Sequence, residues 1–316
     1  MFQTLKYVHE IYKERSFSRA AKNLYISQPS LSATIKKLER EIGTPIFDRS
    51  CTPIQLTDAG EVYLQTTQKI LELYGNLEAY LQDRDEMKTG TLKLGASQFL
   101  ASYLLPSLIS SFNSHYPGIQ IQVNETSSLE VQEKLLDSEV DLVIDSFEFD
   151  SSLFASTHLK DEYVLLAVPS SYAVNDKLKE YRITAHEVCS DAPSRQHYPT
   201  VSPTVFHEHT FLLLHKGHHL NSFAMGLFDK YQFSPDRIMY LDQLITSYNL
   251  VRHQIGVAFV SDTVIKKAGG ESDVFLYRVD APNDHRYINI AHKKNRYISK
   301  AMREFIRLST LEFSNE

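Results

Sequence analysis

The stretch from Ser16 to Arg49 constrains the fold of this chain more than any other, because it has the pattern of two short helices followed by a wing. Ser18 is placed to accept a hydrogen bond from the free backbone N–H groups that open the first helix. Ala20, Ala21 and Leu24 give that helix a small apolar face, which lets a second helix cross closely. The stretch therefore predicts a packed helix pair.

The second helix of this pair has both a start and a stop signal. Ser27 is a cap, Pro29 lies in the first turn where its missing N–H costs nothing, and Gly43 ends the helix. Apolar residues at helical spacing predict one buried stripe, formed by Leu31, Ile35, Leu38 and Ile42. Residues 46–57, IFDRSCTPIQLT, then predict two short strands around a turn, which is the wing.

The opposite face of the second helix has side chains that suit the major groove of DNA. Gln28 can pair with adenine, Ala33 can approach a thymine methyl group, and Lys36 can reach a phosphate. Arg49 in the wing can lie over the backbone or enter the minor groove. A solvated amphipathic helix pair is the alternative. The predicted DNA-contacting residues are Ser18, Arg19, Ser27, Gln28, Pro29, Ser30, Ser32, Ala33, Lys36, Lys37, Arg40 and Arg49.

The N-terminal sequence also resembles a known family, the LysR-type transcriptional regulators. The resemblance rests on many residues at fixed spacing, with Ile46 as a small departure where the family more often has Leu. The matching residues are Phe17, Ala20, Ala21, Leu24, Ser27, Gln28, Pro29, Ser32, Ile35, Leu38, Glu39, Gly43, Phe47, Arg49, Leu56, Thr57, Ala59 and Gly60. The resemblance implies a bacterial cytoplasmic regulator that binds promoter DNA, forms a homodimer or homotetramer and responds to a small effector. We expect no cofactor.

Charge and cysteine content fit this expectation. Residues 1–60 hold nine Lys or Arg and six Asp or Glu, a net of +3, whereas the rest of the chain holds 24 basic and 33 acidic residues, a net of −9. Such segregation favours nucleic-acid contact through the N-terminal part. Cys51 and Cys189 are far apart and lack metal-ligand spacing, so we interpret them as reduced thiols, with a redox-sensing pair as the alternative.

The N-terminus lacks the pattern of a secretory leader, and no apolar run approaches the length of a membrane span. We therefore expect a cytoplasmic protein with no membrane partner. A first helix from Phe2 to about Glu14 is expected to pack under the helix pair.

From Thr57, which is placed to cap a helix, apolar residues continue at helical spacing for about thirty residues. Such a helix has more apolar surface than the small N-terminal domain can cover, so a second copy of the chain is its expected partner. Packing on its own subunit is the alternative. The predicted domains are a winged helix-turn-helix at 1–58, a linker helix at 59–89 and an effector domain at 90–316.

Beyond Gly90, strands alternate with helices, which predicts an α/β domain whose parallel strands bind ligands at their carboxyl ends. The chain is expected to cross twice between two lobes, as in periplasmic binding proteins. The first lobe comprises residues 90–162 and 269–316, and the second comprises residues 163–268. Ser97 and Ser127 each begin a helix and suit an anionic group, although plain capping is the alternative. Lys216 is expected to add positive charge opposite Ser97, so we expect an anionic effector. The predicted effector-binding residues are Ser97, Gln98, Thr126, Ser127, Ser128, His215, Lys216, His218 and, at the rim, Thr246.

The segment Ser190–His209 departs from the family pattern, because it inserts a long polar stretch with three prolines. A loop of this length is either functional or mobile, and we expect a lid or a reshaped pocket. Nearby histidines suggest a metal, but no Cys or paired carboxylate completes a ligand set, so no metal site is predicted. Those histidines are His207, His209, His215, His218 and His219.

Two other classes of protein share parts of this pattern. An enzyme would use the cleft, but we identify no His and Asp partners for Ser97 and no Gly-rich phosphate or dinucleotide loop. A transport-type solute-binding protein would have the two lobes, but not the DNA-binding segment. The sequence therefore favours a regulator that is not an enzyme.

Overall fold

The computed structural model describes residues 2–83, 89–190, 198–269, 273–281 and 284–314. The chain divides into two compact units, with the boundary after residue 84. The first unit contains α1 (Phe2–Glu14), α2 (Phe17–Asn23), α3 (Gln28–Ile42), β1 (Phe47–Asp48), β2 (Gln55–Leu56) and α4 (Asp58–Gln82).

The first unit has the expected winged helix-turn-helix. Leu5, Val8 and Ile11 of α1 are buried, and Val8 and Ile11 share one apolar core with residues of α2 and α3. Strand β1 pairs with β2 in antiparallel fashion to form the wing. Leu31 and Ile35 of α3 are fully buried, whereas Ile42 is 40% exposed, so the predicted buried stripe does not reach the end of the helix.

The caps of α3 are as predicted, and the cap of α2 is not. The Ser27 hydroxyl accepts from the backbone N–H of Ser30 at 3.3 Å, and Gly43 takes the left-handed conformation at the other end. The cap of α2 is Ser16, whose hydroxyl accepts from Arg19 N–H. Ser18 lies inside the first turn, because the helix begins earlier, at the buried Phe17.

Helix α4 begins at the predicted cap, since the Thr57 hydroxyl accepts from Gly60 N–H at 2.9 Å. It has 25 residues, fewer than the thirty or so expected. Residues 84–88, which the expected linker helix included, lie outside the described residues. No helix within the described ranges is long and apolar enough to cross a bilayer.

The second unit is built on one sheet with helices packed against it. Its strands are β3 (Gly90–Ser97), β4 (Ile119–Thr126), β5 (Leu142–Asp145), β6 (Phe154–Pro169), β7 (Ile183–Thr184), β8 (Thr200–Val201), β9 (Thr210–Leu214), β10 (Arg237–Leu241), β11 (Val257–Ser261), β12 (Val274–Val279) and β13 (His285–Lys293). Its helices are α5 (Gln98–Tyr103), α6 (Leu105–His115), α7 (Ser128–Leu136), α8 (Ala185–Cys189), α9 (His219–Lys230), α10 (Leu244–Arg252), α11 (Asp262–Ala268) and α12 (Lys300–Ser314).

Two lobes share this sheet. Strands β3, β4 and β5 are parallel in the first lobe, and β9, β10 and β11 are parallel in the second. The long strand β6 belongs to both, because its first half pairs with β13 and its second half pairs with β11 and β12. Each lobe has buried apolar clusters of its own.

Three parts of the second unit differ from the sequence-based expectation. The return to the first lobe was expected at residue 269, but β12 pairs with β6, β7 and β8 of the second lobe, so the chain returns only between β12 and β13. The pattern of residues 97–117 predicts a single helix, but the structure has a break at Leu104, because Pro106 lacks the N–H that a continuing helix needs.

The third difference concerns the segment expected to form a lid. Residues 191–197 lie outside the described residues, and the rest of the segment packs on the second lobe. Thr200–Val201 forms β8 beside β12, and Phe206 is fully buried in the core of that lobe. The described part is therefore a structural element of the lobe and does not line the cavity between the lobes.

Candidate functional site

The outward face of α3 carries most of the predicted DNA-contacting side chains. Ser32 is partly exposed, and the remaining predicted positions are exposed to solvent. Lys36 makes no ion pair with any described residue, and Lys37 approaches Glu41 only to 4.0 Å. This face therefore offers cationic groups that are free to meet an anionic surface.

The wing is fixed to α3 by one carboxylate. Glu39 accepts the backbone N–H groups of Ile46 and Phe47 at 3.0 and 3.3 Å, and its other oxygen lies 3.0 Å from the Arg49 guanidinium. Arg49 also stacks over the ring of Phe17, 4.9 Å from its centroid. These contacts hold the wing and α3 in one arrangement, and they also limit how far Arg49 can extend.

Two further residues of this unit affect which side chains its surface can offer to DNA. Arg19 is paired with Glu14, at 3.4 Å, so it is less available than its exposure suggests. Tyr25 is 96% exposed in the left-handed turn between α2 and α3. Sequence reasoning missed Tyr25, because a turn residue gives no periodic signal.

A cavity of about 480 Å³ lies between the two lobes of the second unit. The first turns of four helices line it, and these helices come from both lobes. Their lining residues are Gln98, Phe99 and Leu100 of α5, Ser128 of α7, His219 and Leu220 of α9, and Leu244 and Ile245 of α10. Because helix N-termini present free N–H groups and partial positive charge, the cavity suits an electron-rich group.

The structure brings six of the nine predicted effector residues to this cavity: Ser97, Gln98, Thr126, Ser127, Ser128 and His218. His215, Lys216 and Thr246 do not line it. Lys216 follows β9 on an exposed turn, so the expected cation opposite Ser97 is absent from the described lining. His215 instead lies 3.7 Å from Asp242, which does line the cavity.

The serines at the cavity differ in what their hydroxyl groups already bind. The Ser97 hydroxyl makes no capping hydrogen bond, whereas the Ser127 hydroxyl accepts from Glu130 N–H at 3.4 Å. The Ser128 hydroxyl donates to the buried Asp145 carboxylate at 3.0 Å, so it presents an oxygen lone pair to the cavity. Burial raises the pKa of Asp145. Ser97 thus remains free to bind a ligand, and Asp145 orients Ser128.

Sequence reasoning missed the charged pair at the buried side of the cavity. Glu162 of β6 and Arg286 of β13 both line it, are cross-strand partners and lie 2.6 Å apart. They are 1% and 8% exposed. The sequence feature that could have indicated this pair is a charged residue next to an apolar run, in a strand that crosses between the lobes.

Two histidines of the cavity lose basicity through burial. Burial, together with the nearby Arg286, lowers the pKa of His219 to about 4, and burial is also the main cause of a lowered pKa at His218. Of the other histidines of the region, His209 stacks on Tyr172. Within the described ranges, no group of three acidic, His or Cys side chains is arranged to hold a metal ion.

Comparison with known proteins identifies the family to which both units belong. Residues 2–61 match the family model described as bacterial regulatory helix-turn-helix protein, lysR family, and residues 85–313 match the LysR substrate binding domain. The uncharacterized HTH-type transcriptional regulator YcgK of Bacillus subtilis is 27% identical, over 97% of this chain and 93% of its own length.

Solved structures have the same fold. A full-length variant of OxyR from Pseudomonas aeruginosa superposes with a TM-score of 0.68 at 22% identity, covering 98% of this chain and 95% of that one. The BenM effector binding domain with its effector benzoate superposes with a TM-score of 0.55 at 16% identity, covering 72% of this chain and 93% of that one. Since family models match both of its units, the chain belongs to the LysR family of bacterial transcriptional regulators.

Proposed function

We propose that this regulator reads promoter DNA with the exposed face of α3 and adjusts that binding when a small effector occupies the cavity between its lobes. The DNA-reading part of this proposal rests on the exposed face of α3, because the opposite face of that helix is buried in the core. Gln28 stands at the leading end of the helix and reads a base edge. Lys36, Lys37 and Arg40 contact phosphates farther along the same helix.

Residues outside α3 complete the proposed DNA surface. Arg49 acts at the backbone next to the wing, with its reach set by Glu39. Tyr25, almost fully exposed beside the start of α3, adds a hydroxyl that can donate to a phosphate. Arg19, which is held by Glu14, has a smaller role than the free lysines.

The proposed effector is a small molecule with an anionic group. Lys216 gives no support for an anionic group, because it does not line the cavity. The anionic group is supported instead by the N-termini of α7, α9 and α10 and by the Ser97 hydroxyl, which makes no capping hydrogen bond. A benzoate-bound relative domain of the same fold gives a precedent for a small carboxylate. Binding across both lobes would stabilise a closed arrangement and so shift the population of regulator states.

We further propose a cytoplasmic dimer or dimer of dimers formed through α4. Leu73, Leu77 and Tyr80 recur on one face of this helix and are 69%, 52% and 55% exposed. An apolar stripe of this kind on a 25-residue helix is typical of a helix that pairs with another.

Two substitutions test the roles given to α3. Lys36→Ala is expected to weaken binding to all DNA sequences equally and to reduce the slope of log affinity against log salt by about 0.9, the value for one phosphate contact. Gln28→Ala is expected to reduce discrimination at one base position by about 1–3 kcal/mol. Fluorescence anisotropy with operator and scrambled duplexes over a salt series measures both effects.

The matched control is Lys177→Ala, which removes the same charge from an exposed position of the second unit and should leave the slope unchanged. Unchanged sequence preference in Gln28→Ala would contradict base reading by Gln28. An unchanged slope in Lys36→Ala would contradict its phosphate contact.

A further inference from the structure

The buried side of the cavity, which we call the floor, is formed by Glu162, Arg286 and His219. Glu162 Oε2 and Arg286 Nε approach to 2.6 Å, but the contact does not have the geometry of a hydrogen bond. These two atoms and His219 Nδ1 are buried, and none has a hydrogen-bond partner among the described residues.

Buried polar atoms of this kind are costly, and most are hydrogen-bonded in folded proteins. Glu162 and Arg286 are more than nine-tenths buried, and all three floor side chains line the same cavity. A ligand in the cavity can therefore reach these side chains at the floor, where the Glu162 carboxylate can accept a hydrogen bond from it. The floor differs in this respect from Ser128, whose hydroxyl is already bound to Asp145.

The charge of the lining decides which ligand group fits the floor. Three acidic side chains, Glu125, Glu162 and Asp242, line the cavity together with one guanidinium, that of Arg286. Arg286 is already paired with Glu162, and it also interacts electrostatically with the buried Asp145. The Glu162 carboxylate would repel a second anionic group of the ligand at the floor, whereas it would accept a hydrogen bond from a donor group.

We propose that the effector carries a hydroxyl or ammonium group that donates a hydrogen bond to Glu162 at the floor, in addition to its anionic group. A hydroxyl can also accept from the Arg286 guanidinium, and an ammonium can also donate to the neutral imidazole of His219. The effector class is thus a small hydroxy acid or amino acid. This inference rests on the proposed effector role of the cavity.

Three acids with the same carbon skeleton test this inference: propionate, lactate and alanine. Each is titrated at constant ionic strength into the full-length protein, and its dissociation constant is obtained from the shift in thermal unfolding. Lactate or alanine is expected to bind at least about tenfold more tightly than propionate, the effect of one hydrogen bond to a charged group. A preference for lactate identifies a hydroxyl, and a preference for alanine identifies an ammonium.

Glu162→Gln, which keeps an acceptor oxygen but removes its charge, is expected to weaken the preference several-fold. Glu125→Gln, which removes an acidic group from the exposed side of the same cavity, is expected to keep it. The double variant E162Q/R286Q, which removes both charges of the ion pair, replaces Glu162→Gln if the single variant does not fold. Equal binding of the three acids, or no binding of any, overturns the inference, and so does a preference that is undiminished in Glu162→Gln. DNA binding by the same preparation tests the proposed function separately, so the two failures can be distinguished.

Discussion

At the scale of single residues, His219 links the chemistry of the cavity to the stability of the fold. An unfolded histidine titrates near pH 6.5, whereas the folded-state pKa of His219 is about 4 because of burial and the nearby Arg286. Between these values the unfolded chain binds a proton that the folded chain does not, so stability falls as the pH is lowered through this window. Above about pH 6.5 the contribution of neutral His219 is fully present.

His219→Gln should therefore reduce the loss of stability on acidification. We expect the fall in Tm between pH 7 and pH 5 to be smaller in the variant than in the unmodified protein by about 2–4 °C. Calorimetry at the two pH values measures it, with His253→Gln, at an exposed position, as the control for the loss of an imidazole. An equal fall in all three proteins would contradict the role of His219.

What could be predicted at this scale depends on how local the cause is. The caps Ser27 and Thr57 could be read from the sequence, because a cap bonds to residues two or three positions away. Glu162 and Arg286 could not, because they are 124 positions apart and only the antiparallel pairing of β6 and β13 brings them together. Lys216 was misplaced for a related reason: its position after β9 was predicted, but not the direction of the turn that follows.

At the scale of elements, helix α4 has an exposed apolar face that we expect to pack against a second copy of the chain. Its exposed apolar side chains recur at intervals of three and four residues, which places them on one face. Helices with such a face usually bury it against another element.

Leu77→Lys should therefore weaken self-association. Light scattering after size exclusion at micromolar concentration should show a shift of mass from dimer or tetramer toward monomer, with the thermal stability of the second unit unchanged. Gln65→Lys adds the same charge at an exposed polar position of α4 and should leave the mass unchanged. A Leu77→Lys protein with the mass of the unmodified protein would mean that α4 is not the association surface.

Most strands and helices could be predicted from periodicity, and the errors have identifiable physical causes. The break between α5 and α6 results from Pro106, whose local effect overrides a continuous apolar pattern. The lobe of β12 could not be predicted, because its apolar sequence fits either half of the sheet and only its pairing with β6 decides between them.

At the scale of the whole molecule, the two lobes are joined through strands that also carry two of the three floor residues. Glu162 and Arg286 lie where β6 and β13 pair, next to the point at which β6 passes to the second lobe. A ligand that binds these side chains and the helix N-termini of both lobes would therefore act directly on the connection between the lobes. The division into two domains could be predicted from the sequence. The resemblance to LysR-type regulators predicted the N-terminal domain, and the alternation of strands and helices predicted the effector domain.

The most direct test of the central claim, that this chain is a DNA reader, is a footprint of the purified protein on DNA upstream of its own gene. We predict a protected region with paired half-sites, which a Gln28→Ala protein protects with altered sequence preference. At low salt even non-specific phosphate binding should give protection. Absence of any protection under that condition would contradict the account, because the exposed face of α3 would then have no DNA to read.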